Sequence, residues 1–177
     1  MRLKMTKRQI LVAGIGNIFL GDDAFGVEVV RQLLRQDWPE AVQVTDFGIR
    51  GFDLAYALAD GYETAILIDA LPRGEPAGTL YVIEPELSDF DEDSGLEIET
   101  HGMDPVKVLR LVQRLGGQPG RVRVVGCEPA TFGPEFVGQM GLSPPVQAAV
   151  GEAVKLVRAL VKAYLQEELS KAASEQN

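Results

Sequence analysis

The run AILI at positions 65–68 has no polar side chain to turn toward water, and Asp69 closes it. A strand of that kind is buried on both faces, which is the condition of a central strand in a parallel sheet covered by helices. The flanking sequence agrees. Short apolar runs at 9–13, 42–45 and 121–125 alternate with amphipathic stretches of helical length at 24–36, 52–59 and 104–115, and a longer one follows Ser143. This alternation predicts an α/β fold: a three-layer sandwich whose mostly parallel, twisted sheet carries helices on both faces. The segment GTLYVIE at 78–84 also alternates like a strand. Its PRGEPAG connection is too short for a crossover helix, so this strand is expected to pair antiparallel or lie at an edge.

Local signals set the expected helix limits. Val27, Val30 and Leu34 recur at helical spacing in the first helix, and Gly116 with Gly117 closes the third. Ser143 is expected to cap the last helix, with Pro144 at its first position and Val146, Val150, Val154, Val157 and Leu160 on its apolar face. The polar tail from about Ser170 is expected to fray. Residues 1–177 read as a single domain without repeat or linker. A chain of 177 residues, 46% of them apolar, buries enough surface to fold without a disulfide or metal staple. Any metal site must therefore be explained by function.

Charge and composition exclude several classes of function. With 17 basic against 26 acidic residues the net charge is -9, which repels a nucleic-acid backbone. Residues 84–99 hold eight acidic residues and no basic one. That segment reads as a solvated loop, or as one that meets a basic partner. The start, MRLKMTKRQ, is basic, but the apolar stretch that follows ends at Gly14, far short of a signal-peptide core. No run approaches the roughly 18 apolar residues of a spanning helix. One cysteine, Cys127, cannot form an intramolecular disulfide and fits a reducing compartment. A cytoplasmic monomer is the expectation.

The first strand runs into GIGNIFLGDDAFG, where paired glycines suggest a sharp turn beside a ligand. A dinucleotide fingerprint would need a third glycine at the position of Phe19, and Asp22 and Asp23 stand where a phosphate would go. There is no GK[ST] phosphate loop. In an open parallel sheet, ligands bind beyond the carboxyl ends of the strands near the point where strand order reverses. Asp23 follows the first strand, Asp69 ends the third, and His101 precedes the third helix. Together they could form a three-ligand site with open positions, acceptable to zinc, nickel or iron. Each also has an ordinary alternative: Asp22 or Asp23 as a helix cap, Asp69 as a turn residue, His101 as a hydrogen-bonded loop residue. A lone histidine rules out HExxH, and neither a GxSxG elbow nor a pair of Asp-Thr-Gly segments is present. Cys127 with His101 is the one nucleophile and base pairing left. Because Cys127 directly follows an apolar strand, it reads better as a buried structural thiol.

In order and spacing, GIGNIFLGDDAFG, DFGIRG, LIDA, THGMDP and GCEPATFG followed by GLSPPV resemble the hydrogenase maturation endopeptidases. These proteins trim the C-terminal extension from the nickel-containing large subunit of [NiFe] hydrogenases. The resemblance spans nearly the whole fold. It implies metal-binding roles for Asp23, Asp69 and His101, and a role in recognition and activity for Asp46, which could otherwise be a turn residue ending the second strand. It also implies that the partner is a large-subunit precursor and that the nickel arrives with it, so the resting enzyme is expected to be metal-free. A non-catalytic, nickel-checking chaperone with the same cleft is the alternative.

Overall fold

The computed structural model describes residues 9–85, 104–134 and 137–174. In chain order the elements are β1 (Ile10–Ile15), a short 3-10 turn (Gly21–Ala24), α1 (Phe25–Leu33), β2 (Val42–Gly48), α2 (Gly51–Ala59) and β3 (Thr64–Ala70). They are followed by β4 (Leu80–Ile83), α3 (Pro105–Arg114), β5 (Arg121–Cys127) and α4 (Pro144–Ser174). The five strands form one sheet in the order β2-β1-β3-β5-β4. All neighbours run parallel except β4, which pairs antiparallel with β5 at the edge, as its short connection predicts. Among the described residues, no helix is long and apolar enough to cross a membrane.

The pleat distributes the core between two helix layers. Ile10 and Val12 of β1, Ile66 and Ile68 of β3, and Val125 of β5 face α1 and α4. Leu11, Ala13, Ala65, Leu67 and Val124 face α2 and α3. This is the three-layer sandwich expected from the run at 65–68, whose four side chains are all buried. The backbone of α1 comes close to the sheet at Gly26. A Cβ on Gly26 would stand 2.1 Å from the carbonyl oxygen of Ile68 and 2.3 Å from that of Ile15, so only glycine lets the helix backbone rest on β1 and β3 together.

Several boundaries differ from the sequence expectation, each for a local reason. The first helix begins at Phe25, because residues 21–24 form the separate 3-10 turn. Its buried face continues from Val30 to Leu33 at a spacing of three, while Leu34 caps the helix and is 52% exposed. β3 and β5 each run further than predicted, so that Asp69 pairs with Gly126 and Ala70 with Cys127 inside the ladder. α4 does not fray at Ser170. It continues to Ser174, supported by good helix formers and a Lys171–Glu168 ion pair one turn apart.

Candidate functional site

The chain leaves β1 toward β2 on one side and reaches β3 on the other, so the switch point lies between β1 and β3. Beyond it opens a cavity of about 610 Å³ whose wall includes Leu20, Asp23, Asp69, Asp104 and Phe132. Each acid arrives by a different route. Asp23 comes from the 3-10 turn, which packs directly on the end of β1. Gly16 there has φ +141°, and a Cβ on it would lie 1.8 Å from the Asp23 carbonyl oxygen. Asn17 N–H donates to Asp23 Oδ2 at 2.7 Å. Burial raises the Asp23 pKa above the ordinary carboxylate value, and that one donor only partly opposes it.

Asp69 shares the pleat parity of Ala65 and Leu67, which directs it to the α2 and α3 side, where α3 begins. It is 4% exposed, and the described donor to it is the N–H of Ala70, at 2.8 Å to Oδ1. Its pKa stands well above the usual range. Burial is the main cause, the negative charge of Asp23 adds to it, the Ala70 N–H opposes it, and the charge of Asp104 raises it further. Asp104 caps α3 by accepting from Lys107 N–H at 2.9 Å, with Pro105 at the first helical position. Lys107 also lines the cavity, and its Nζ lies 3.9 Å from Asp104 Oδ2.

The structure thus brings Asp23 and Asp69 together, as topology predicted. His101 lies outside the described residues. Asp46 belongs to a second cavity of about 340 Å³, lined also by Phe19, Ile49, Arg31 and Arg50. The loop after β1 divides the two spaces, with Leu20 on the first and Phe19 on the second. The Asp46 backbone carbonyl accepts from the Arg50 guanidinium. Among the described residues, no three His, Cys, Asp or Glu side chains are arranged to hold a metal ion. Asp23 and Asp69 can offer a divalent cation anionic oxygen donors, and the rest of its coordination must come from elsewhere.

Cys127 takes no part in this site. It is fully buried in the layer facing α1 and α4, and burial, reinforced by the charges of Asp22 and Glu128, pushes its thiol up to about 12. A thiol so protonated is no nucleophile at neutral pH, which agrees with its reading as a structural residue.

Three acids that sequence reasoning did not assign to the site shape it. Asp104 was signalled by Asp-Pro at a helix start. Asp22, read as a possible helix cap, is instead fully buried and accepts from Ala130 N, Thr131 N, and Ser143 N and Oγ. The Ser143 hydroxyl thereby donates a hydrogen bond to Asp22, a partner that helix-capping rules do not anticipate. Burial alone would raise the Asp22 pKa, but these donors together hold it below the ordinary value. Glu128, also buried, accepts from Arg73 N, Gly74 N and the Tyr81 hydroxyl. It ties down the loop that leaves β3 through the cavity residues Leu71 and Pro72.

Comparison with known proteins adds a family. The model of a family described as hydrogenase maturation protease, HycI, matches residues 27–160, a span that includes Asp46, Asp69 and His101. The sequence is 31% identical over 159 residues to the hydrogenase 2 maturation protease of Escherichia coli K12, covering 87% of this chain and 91% of that protein. The fold is similar to the hydrogenase maturating endopeptidase HybD from E. coli, with a TM-score of 0.70 and 28% identity over 88% of this chain and 93% of that one. It is also similar to a hydrogenase 2 maturation peptidase from a Thaumarchaeota archaeon, with a TM-score of 0.65 and 35% identity over 87% and 98% of the two chains.

Proposed function

The chain belongs to the hydrogenase maturation protease family, and from that premise we propose that it removes the C-terminal extension of a [NiFe] hydrogenase large-subunit precursor once nickel has been inserted. The observation that carries this reading is the Asp23 and Asp69 pair on one cavity wall. Asp69 is buried, receives one described N–H, and faces two further negative charges. Such a carboxylate is satisfied by a cation that enters from outside, and nickel held in the precursor is that cation.

In this reading Asp23 and Asp69 complete the coordination of the substrate's nickel, with His101 as the third ligand. Docking of the ion seats the adjoining peptide in the 610 Å³ cavity. A metal ion held there can polarise the scissile carbonyl or lower the pKa of an attacking water. Cys127 supplies no competing nucleophile. The precursor without nickel leaves buried Asp69 and half-buried Asp23 without a cation and is rejected, which makes metal insertion the condition for cutting. Asp46, in the neighbouring cavity, contacts precursor beyond the cut.

Intact mass spectrometry of a purified precursor, nickel-loaded and nickel-free, tests this with the unmodified protein and with His101→Ala and Asp69→Asn. Loss of a C-terminal peptide is expected only with nickel and only from the unmodified protein. Full cleavage by either variant removes the metal-recognition reading. A stable complex with nickel-loaded precursor and no mass change points instead to the chaperone role.

A further inference from the structure

Asp22 stands next to a cavity acid but turns away from the cavity. It is 0% exposed, and both its oxygens are engaged by protein donors. Oδ2 accepts from Ala130 N at 2.8 Å, Thr131 N at 3.0 Å and Ser143 Oγ at 2.8 Å, while Oδ1 accepts from Ser143 N at 2.6 Å. These donors come from the segment after β5 and from the start of α4, 108 to 121 residues along the chain. The backbone reinforces the same junction. Asp22 N donates to Thr131 O at 3.0 Å, Gly21 N donates to Gln139 O at 2.7 Å, and Leu20 bridges Gln139.

The junction fixes one side of the cavity. Leu20, Asp23 and Phe132 all line it, and each lies within two residues of a group bonded in this junction. The Asp23 carboxylate has one described donor, the backbone N–H of Asn17. Its placement opposite Asp69 therefore depends on how firmly the 3-10 turn is held. From this geometry we propose that Asp22 is a positioning residue. Acting through the 3-10 turn, it holds Asp23 and the Phe132 wall at the separation from Asp69 that the metal-bearing precursor requires. The proposal rests on the metal-recognition reading above.

Asp22→Asn is the informative substitution, because it preserves shape while replacing one acceptor oxygen by an NH2 group. Wherever that group points, it meets an N–H or a hydroxyl that was donating. Ser143→Ala removes one of the four donors and leaves the carboxylate buried among the other three, so it serves if Asp22→Asn fails to fold. Cleavage kinetics with nickel-loaded precursor are measured well below the melting temperature of each variant, beside the unmodified protein and Asp23→Asn. A positioning role predicts that kcat/KM falls by about 10²-fold for Asp22→Asn, the scale of a misplacement near 1 Å, and that the fall is a rise in KM because Asp23 acts in recognition of the metal. For Ser143→Ala the rise is about tenfold, and kcat stays within about twofold in both. A residue that only supports the fold would lower the melting temperature and leave KM unchanged. That result in the folded variants overturns the proposal while the reading stands. If the unmodified protein cuts nickel-free and nickel-loaded precursor alike, the reading fails and the proposal falls with it.

Discussion

Substituting Gly26 by alanine tests whether the close approach of α1 to the sheet sets both the stability and the site. The added Cβ would stand 2.1 Å from Ile68 O and 2.3 Å from Ile15 O. Both are backbone atoms of paired strands and cannot swing aside. Either α1 withdraws from the sheet by on the order of 1 Å or β1 and β3 are forced apart, and a close-packed interior resists both. Withdrawal loosens Phe25, Val29, Val30 and Leu33, all fully buried. Alanine recovers about 1 kcal/mol of helix propensity over glycine. Overpacking of ordinary side chains costs about 1–3 kcal/mol, and two backbone contacts exceed that ordinary case. A net loss of about 2–3 kcal/mol follows, read as a fall in melting temperature of about 5–10 °C for a chain of this size. Cleavage should fall further, by about 10²-fold, because Ile68 precedes Asp69 and Gly26 lies one helical turn after Asp23, so both carboxylates shift. Gly151→Ala is the control. It sits exposed in α4 with nothing within 4 Å of the added carbon, and it should stabilise by about 0.5–1 kcal/mol without touching activity. Thermal unfolding followed by circular dichroism, with the mass assay, checks both. Melting of Gly26→Ala at or above the unmodified temperature would refute the packing argument.

Other substitutions separate stability from chemistry. Asp69→Asn should melt higher than the unmodified protein at pH 7 while losing cleavage. The raised pKa means that the folded state holds a proton the unfolded chain releases, so stability falls as pH rises from the ordinary carboxylate value through that of Asp69. The amide removes that slope and can keep the Ala70 bond. Melting curves from pH 4 to 8 check it, and an unchanged slope would count against it. Native Cys127 should resist alkylation at pH 8 and react only on unfolding, whereas Cys127→Ala should cleave normally and lose about 1–2 kcal/mol for the small void. Rapid labelling of the native protein, followed by intact mass, would contradict this.

The parts of the fold legible in the sequence are those where one residue pattern admits one environment. The apolar run at 65–68 reads as a central strand, and a seven-residue connection is too short for a crossover helix, so β3 and a following antiparallel or edge strand are expected. The convergence of Asp69 with the loop that carries Asp23 was legible from the switch point between β1 and β3, whereas the 3-10 turn that sets Asp23 in place was not. Other features depend on partners far away in sequence. Whether Leu33 or Leu34 faces the core depends on the 3-10 turn that resets the start of α1. The role of Asp22 depends on residues 130, 131 and 143, and no local pattern distinguishes a carboxylate that clamps a distant loop from one that caps its own helix. Asp46 sits one strand away from the acid pair, and its separation into another cavity is set by the path of Ile18 to Leu20.

Four of the acids beyond the sheet ends fall into two groups, and the difference lies in the donors around them. Asp22 collects three backbone N–H groups and a hydroxyl, and Glu128 two backbone N–H groups and the Tyr81 hydroxyl. Both are held below the ordinary carboxylate pKa. For Asp22 the donors outweigh its burial, and for Glu128 the Tyr81 bond is the largest cause. Asp23 and Asp69 have one described N–H each and are held above it. The chain can saturate a buried carboxylate when it bends a loop over it, and it does so twice within this region. At the cavity it gives Asp23 and Asp69 one described N–H each instead. A resident lysine or arginine between Asp23 and Asp69 would stabilise the folded protein, but under the proposed function it would also occupy the place of the incoming cation. Under the proposed function the ionised pair is unfavourable in the resting protein, where the raised pKa of Asp69 favours its protonated form, and a cation brought by the partner favours the ionised one. Introducing a lysine at Leu20, on the same wall, should raise stability at pH 7 and abolish the advantage of nickel-loaded over nickel-free precursor. An undiminished nickel preference in that variant would show that the acids do not read the metal.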